Sequence, residues 1–235
     1  MKKQILTAVA CLGIGGAAFA EGAKLETIPW ADVPKTYAET DKAQKPADAE
    51  VTPTWQKGDR WVVELYQKDY SKKTAVTPWI PTPQRFAYEV VGTEVREGEE
   101  IVRIAVVRDD EKTATTLLVN GVTHAVVATA IGDKETPVTR PQDVPVPWEV
   151  PAGKLKGKAF ESPLGLPRDA VIFSEGVVGF PAADVPRSSG KVIDVDGKTA
   201  AGDDVFQRWD ATIPQFPLCS YSLDRALLLR EATRR

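Results

Sequence analysis

The sequence has few of the side chains that bind soft metal ions or act as nucleophiles: two cysteines, one histidine and one methionine in 235 residues. Copper and zinc sites built from protein alone need several nitrogen or sulfur ligands. Serine and cysteine hydrolases need a base beside the nucleophile, and His124 is the only histidine. We therefore predict no metal site, no cofactor and no catalytic residue of these kinds.

Motifs for nucleotide chemistry are also missing, since the chain has no G-x-G-x-x-G, no P-loop and no G-x-S-x-G. Residues 194–197 (Asp-Val-Asp-Gly) are similar to part of a calcium loop, but the bidentate glutamate of such a loop is missing and a plain turn at Asp196-Gly197 is favoured. Paired carboxylates need only be close in space. An exported hydrolase, for example a carbohydrate-active enzyme with paired Asp or Glu, therefore stays open as an alternative function.

The first twenty residues have the layout of a secretory signal peptide. Residues 1–3 are basic, residues 5–19 are apolar and uncharged, and Ala18-Phe19-Ala20 is a small-x-small cleavage site. This pattern predicts export to the periplasm or the extracellular space, with cleavage after Ala20. An uncleaved membrane anchor and a lipoprotein modified at Cys11 are the alternatives.

Cleavage removes Lys2 and Lys3, and so leaves 28 basic and 33 acidic side chains with a formal charge of −5. Both signs are well mixed, so there is no electrostatic case for nucleic acid. Cys219 is then the only cysteine, and stability must come from an apolar core without an internal disulfide. No second apolar run has the length of a membrane helix, so we predict no transmembrane segment in the mature chain.

Residues 21–56 are predicted to be a flexible linker. Between Lys35 and Glu50 there is almost no large apolar residue, and such a segment cannot bury enough surface to offset the entropy of ordering it. The same pattern has two functional interpretations: a tether, or a segment that folds on a partner through Trp30. Residues 57–235 are then a single β-rich domain.

The fold class is predicted from alternating apolar segments between Arg60 and Ile131. Trp61, Val63 and Leu65 make one apolar face of the first segment, and short charged turns separate the segments. The pattern predicts a mainly β chain with little helix, in which an antiparallel meander forms a sandwich or an open half-barrel. The tail from Leu218 is compatible with strand or helix, and we favour a strand.

The hairpins of this meander are predicted from turn residues. Asn120-Gly121 favours a two-residue type I′ turn, which would place Val119 opposite Val122 and Leu117 opposite His124. His124 would then be a buried structural residue within a strand. A second hairpin is predicted over residues 191–209, with its turn near Asp196-Gly197.

Three side chains are predicted to bind a ligand. Trp79 and Ile80 lie between prolines that stiffen residues 77–83, and Trp148 lies in a stretch with five prolines over residues 137–151. Aromatic residues of this kind either fill the core of a β-domain or line a concave ligand site. We expect an exported, non-enzymatic β-domain of the cell envelope that binds an apolar or sugar ligand or an envelope protein.

Overall fold

The computed structural model describes residues 23–71, 79–139, 153–171, 179–199 and 201–233. Strands make up 56% and helices 8% of the structure, which confirms the prediction of a mainly β, antiparallel fold with little helix. The predicted signal peptide lies outside the described residues.

Most of the strands are connected by short turns. Their bounds are β1 (Ala23–Lys24), β2 (Thr27–Ile28), β3 (Ala47–Val51), β4 (Arg60–Gln67), β5 (Gln84–Arg96), β6 (Glu99–Arg108), β7 (Thr115–Asn120), β8 (Val126–Ile131), β9 (Lys134–Pro137), β10 (Leu155–Leu164), β11 (Val185–Lys198), β12 (Asp204–Asp210), β13 (Cys219–Ser222) and β14 (Arg225–Thr233). The helix α1 (Val33–Thr40) follows a 3₁₀ turn at Trp30–Asp32.

These strands form one 14-stranded sheet. Its order is β3-β10-β11-β12-β13-β14-β4-β5-β6-β7-β8-β9, with β1 paired to β14 and β2 paired to β11. The meander predicted from the sequence over residues 60–131 corresponds to β4–β8 and is continued by β9, and a second meander, β10–β14, joins it through the β14–β4 pair. The strand alternative for the tail is confirmed, because β13 and β14 lie in the middle of the sheet.

Alternation along the strands gives the sheet two apolar faces. On β14, Leu227 and Leu229 belong to a core with the stacked rings of Trp61 and Tyr88, whose centroids are 5.4 Å apart. We call this side the inner face. The inner face continues across β13 and β12, because Leu227 pairs with Ser220 and Ser220 pairs with Gln207. Trp209 is two residues after Gln207 on β12 and therefore lies on the same face. The outer face carries a second core around Leu228.

The sheet curls so that its two ends approach each other. In a flat sheet β10 and β7 would be about 40 Å apart, since eight strand spacings separate them. Yet Gly153, two residues before β10, lies against the β7–β8 turn, so closely that a Cβ there would be 1.8 Å from the Val122 carbonyl oxygen. Of the two arrangements left open by the sequence, this geometry matches the open half-barrel.

The segment predicted to be a linker differs from that expectation. Val33 and Tyr37, one helical turn apart on α1, are buried in the outer-face core. Just beyond the helix, Gln44 exchanges hydrogen bonds with the backbone of Glu161 on β10. Residues 47–51 then add the edge strand β3 to β10. The composition misleads because a few well-placed side chains and backbone pairing hold this segment.

Two predicted turns are wrong in position. The β7–β8 connection spans residues 121–125, so Val119 pairs with Val126 and not with Val122. Asn120 determines this longer loop, because its Oδ1 accepts the backbone N–H groups of Val122 (2.9 Å) and Thr123 (2.8 Å). In the later hairpin, Gly197 pairs with Val205 inside the ladder, so β11 continues to Lys198 and β12 begins at Asp204.

Candidate functional site

The structure describes two of the three residues predicted to bind a ligand, Trp79 and Ile80. Trp79 is half-buried on the outer-face core, with Nζ of Lys68 5.4 Å from its ring centroid. Ile80 is 40% exposed next to it. Trp148 lies outside the described residues. Neither Trp79 nor Ile80 is among the lining residues of the two concavities described below.

The larger concavity is a cleft of about 730 Å³ that opens where the curled sheet meets itself. Its walls come from three places: the segment that follows β3, the start of β6 with the β7–β8 turn, and the residues just before β10. The lining residues are Thr52, Pro53, Thr54, Trp55, Glu100, Val102, Gly121, Val122, Thr123, His124, Gly153 and Lys154. Sites of this kind are common at the mouths of β-barrels, where strands that are distant in sequence converge.

Trp55 is the main aromatic side chain of the cleft. Its Nε1 donates a 2.9 Å hydrogen bond to the carbonyl oxygen of Gln215, and the neighbouring Thr54 N–H donates to the carbonyl oxygen of Pro214 (3.1 Å). The ring also meets His124 edge-on, with centroids 4.6 Å apart. The indole is thus fixed in one orientation before any ligand arrives, while part of its surface stays accessible.

His124 forms the opposite wall, and its backbone is unusual. It is buried, with 2% of its surface exposed, as the sequence predicts, but it lies in the β7–β8 loop and not in a strand. Its φ is +57°, a left-handed conformation that costs a non-glycine residue about 1–2 kcal/mol. Such residues concentrate at ligand sites, where the surrounding structure holds them in place.

Polar groups surround this aromatic pair. Thr52, Thr54 and Thr123 contribute hydroxyls to the lining. Lys154 forms a 2.5 Å ion pair with Glu50 of β3 in which both side chains are well exposed. Glu100 is exposed on the other wall. The cleft therefore offers one aromatic surface, several hydroxyls and charges of both signs.

A separate group of charged residues lies on the outer face beneath α1. Arg208 is fully buried and donates two hydrogen bonds to Asp194 (2.6 and 2.8 Å) and one to Asp41 (2.8 Å). Partial desolvation raises the pKa of Asp169, and the Asp194 carboxylate raises it further. Desolvation likewise raises the pKa of Asp196, with Asp169 and Asp194 adding to the effect.

Within the described ranges, no three or more His, Cys, Asp or Glu side chains are arranged to hold a metal ion. No helix in those ranges is long and apolar enough to cross a membrane.

The sequence interpretation missed Trp55 and assigned it to the linker. A local signal exists, because Pro53-Thr54-Trp55 ends the polar segment immediately before the first strand of the meander. Nothing local, however, links Trp55 with His124 or Lys154, which approach it only when the sheet curls. Comparison of the chain with protein-family models, with curated proteins and with solved structures finds no match.

Proposed function

We propose that this protein is an exported, non-enzymatic β-domain of the cell envelope and that its cleft binds a carbohydrate. One observation carries the proposal: the fixed ring of Trp55 borders a cleft of about 730 Å³ that is also lined by threonine hydroxyls, Glu100 and Lys154. A sugar ring has an apolar face that packs on an aromatic ring and hydroxyls that exchange hydrogen bonds with polar groups.

The composition of the cleft favours a sugar over a purely apolar ligand. An acyl chain would leave the threonine hydroxyls and the charges of Glu100 and Lys154 facing hydrocarbon, at a cost in desolvation. The fixed Trp55 also supports binding, because a preformed site avoids the entropy loss of ordering a flexible one. Export rests on the signal-like residues 1–20, and N-terminal sequencing of protein from the cell-envelope fraction should begin at Glu21.

The test is a calorimetric titration of the mature protein with three probes: maltohexaose, tetra-N-acetylglucosamine and dodecanoate. We expect at least one oligosaccharide to bind and dodecanoate not to bind. Trp55→Ala should weaken oligosaccharide binding at least tenfold, since stacking on an aromatic ring contributes about 0.5–1.5 kcal/mol beyond area burial and the ring's buried area adds more.

Two matched tryptophan variants serve as controls. Trp30 stacks on Phe180 at the outer-face core, and Trp79 belongs to the same core, so Trp30→Ala and Trp79→Ala should leave binding unchanged. Loss of binding in Trp79→Ala but not in Trp55→Ala would place the ligand at the site predicted from the sequence. Binding of dodecanoate alone, or of none of the three probes at millimolar concentration, would overturn the carbohydrate proposal.

A second candidate function is carboxylate-based hydrolysis, favoured by one observation: Asp169 and Asp196 have raised pKa values beside the ion-paired Asp194. Glycoside hydrolysis uses a pair of carboxyl groups, one of which has a raised pKa and acts as the general acid. The same oligosaccharides, analysed for chain length after incubation, decide between the two functions. Shortened products that disappear in Asp169→Asn or Asp196→Asn would indicate a hydrolase, whereas unchanged oligosaccharides that bind through Trp55 support the binding function.

A further inference from the structure

A second concavity, of about 520 Å³, lies at the other end of the central strands, where β4, the β11–β12 turn and the β13–β14 turn come together. It is defined by Tyr70, Gly202, Asp203, Asp204, Phe206, Tyr221, Ser222, Leu223 and Asp224. We call it the acidic groove. None of its lining residues belongs to the Trp55 cleft, so anything bound here is independent of the proposed carbohydrate.

The floor of the acidic groove is aromatic and its rim is apolar. Phe206 and Tyr221 are cross-strand partners on β12 and β13, and the hydroxyl of Tyr221 donates a 2.7 Å hydrogen bond to the carbonyl oxygen of Gly179. At the rim, Tyr70 is 62% exposed and Leu223 78% exposed. Large apolar side chains that stand this far into solvent beside a concavity are typical of interaction surfaces.

The charge of the groove has a single sign. Asp203, Asp204 and Asp224 line it, and no lysine or arginine is among the lining residues that the structure describes. Asp204 forms an exposed ion pair with Lys198 at 2.6 Å. Asp224 accepts a 3.1 Å hydrogen bond from the Ser222 hydroxyl, and Nε of Arg225 is 3.7 Å away. These exposed contacts offset the negative charge only partly, because water screens them strongly.

The turn that carries two of these aspartates is held in place by its own hydrogen bonds. The Thr199 hydroxyl accepts the backbone N–H of Asp203 (3.1 Å), and the Thr199 N–H donates to the carbonyl oxygen of Asp203 (2.9 Å). Across the groove, the Lys68 N–H donates to the carbonyl oxygen of Asp224 (3.0 Å) and so joins the β13–β14 turn to the end of β4. The groove is therefore a preformed surface.

We propose that the acidic groove is a docking site for a basic, amphipathic segment of a partner polypeptide, in which lysine or arginine side chains alternate with apolar ones. The cationic groups would meet Asp203, Asp204 and Asp224, with the aromatic rings of Tyr70 and Phe206 adding cation–π attraction. The apolar side chains would pack on Leu223 and Tyr70. Charge complementarity selects this partner, since an acidic or uncharged segment would add nothing to the partial compensation that Lys198 and Arg225 give the three carboxylates.

The probe is a fluorescein-labelled octapeptide of alternating leucine and lysine, and its binding is followed by fluorescence polarisation. Two comparison peptides test each half of the proposal: glutamate in place of lysine, and glycine in place of leucine. We expect the leucine–lysine peptide to bind at least tenfold more tightly than either comparison peptide. Its binding should weaken several-fold between 50 and 300 mM salt, since exposed charge pairs are screened.

The protein variants locate the probe on the molecule. Asp203→Asn/Asp204→Asn/Asp224→Asn should weaken binding of the leucine–lysine peptide at least tenfold, and Leu223→Ser about threefold. The matched control neutralises three exposed acids in distant turns, Glu97→Gln/Asp109→Asn/Asp133→Asn, and should bind as the wild type does. Because the altered side chains lie at the surface, circular dichroism and the melting temperature should stay close to wild type for both triple variants.

Three results would overturn the proposal: no binding of the leucine–lysine peptide at 1 mM, equal binding of the glutamate peptide, or equal weakening by the control variant. The last would mean a general effect of net charge. If the groove variant does not fold, Leu223→Ser together with Tyr70→Ser decides the matter, since unchanged binding in that variant contradicts the apolar half of the proposal. Trp55→Ala should bind the peptide normally, so failure of either proposed site leaves the other in place.

Discussion

Replacing Arg208 by methionine removes a positive charge that contacts both Asp194 and Asp41 in the interior of the outer face. Arg208 and Asp41 are fully buried and Asp194 nearly so. Besides the three hydrogen bonds to these carboxylates, Nη1 donates to the carbonyl oxygen of Leu164 (2.7 Å) and the hydroxyl of Ser162 (3.3 Å). Methionine has a similar length and no donor, so both carboxylates keep their burial and lose this partner.

The expected loss is large. Removing one member of a buried ion pair typically costs about 3–5 kcal/mol, because the remaining charge stays desolvated and uncompensated. Here two carboxylates share the lost guanidinium, so we expect the upper part of that range. A domain of this kind has a total unfolding free energy of about 5–15 kcal/mol, so Arg208→Met should lose roughly a quarter or more of it.

Urea unfolding at pH 7, followed by tryptophan fluorescence, measures this difference. The control is Arg187→Met on β11, whose exposed ion pair with Glu26 at 3.6 Å should contribute less than about 1 kcal/mol. A further variant, Asp41→Leu/Asp194→Leu/Arg208→Met, leaves no unpaired charge and should regain much of the loss. The reasoning is refuted if Arg208→Met unfolds within about 1 kcal/mol of the wild type.

Arg208→Met should also loosen α1 before the rest of the protein, because Asp41 ends that helix and its ion pair with Arg208 joins the helix to β12. The amides of Asp41 and Lys42 both donate to the Tyr37 carbonyl oxygen. Their hydrogen exchange should become faster in the variant, while that of the Leu228 amide should not. Gly153→Ala should destabilise the protein by about 1–3 kcal/mol or more and weaken oligosaccharide binding, because the added Cβ would overlap the Val122 carbonyl oxygen. The control is Gly92→Ala, which should change the unfolding free energy little because nothing lies within 4 Å of the added Cβ. Asp169→Asn should raise the unfolding free energy more at pH 7 than at pH 3.5. The raised pKa of Asp169 means that the folded state holds this proton more tightly than the unfolded state, so its stabilising contribution is present below the ordinary aspartate pKa and is lost as the pH rises through the folded-state pKa. Urea titrations at both pH values measure this difference, and an Asp169→Asn effect that is equal at the two, or larger at pH 3.5, contradicts it.

Local pattern in the sequence determined the strands. Trp61, Val63 and Leu65 alternate with polar residues because one face of β4 packs on the inner core, and such alternation is visible without any knowledge of the partner strands. The same reasoning placed β5, β6 and β7 and predicted the antiparallel class. His124 is buried as predicted, but the register from which its burial was predicted, with Leu117 opposite His124, is wrong, because Leu117 pairs with Thr129.

Only the tertiary structure decided which distant residues meet. Asp41 and Arg208 are 167 positions apart, and no local property of residues 35–50 reveals that an arginine on β12 will need a buried carboxylate there. Loop length was also decided by specific contacts, because Asn120 can either begin a two-residue turn or accept the N–H groups of Val122 and Thr123. The site at Trp55 likewise depends on contacts between residues that are distant in sequence, such as Trp55 and His124. Alternation and turn residues determine strands and their neighbours, whereas the curvature that brings Gly153 to Val122 and Trp55 to His124 depends on how the twist of many strands adds up across the sheet.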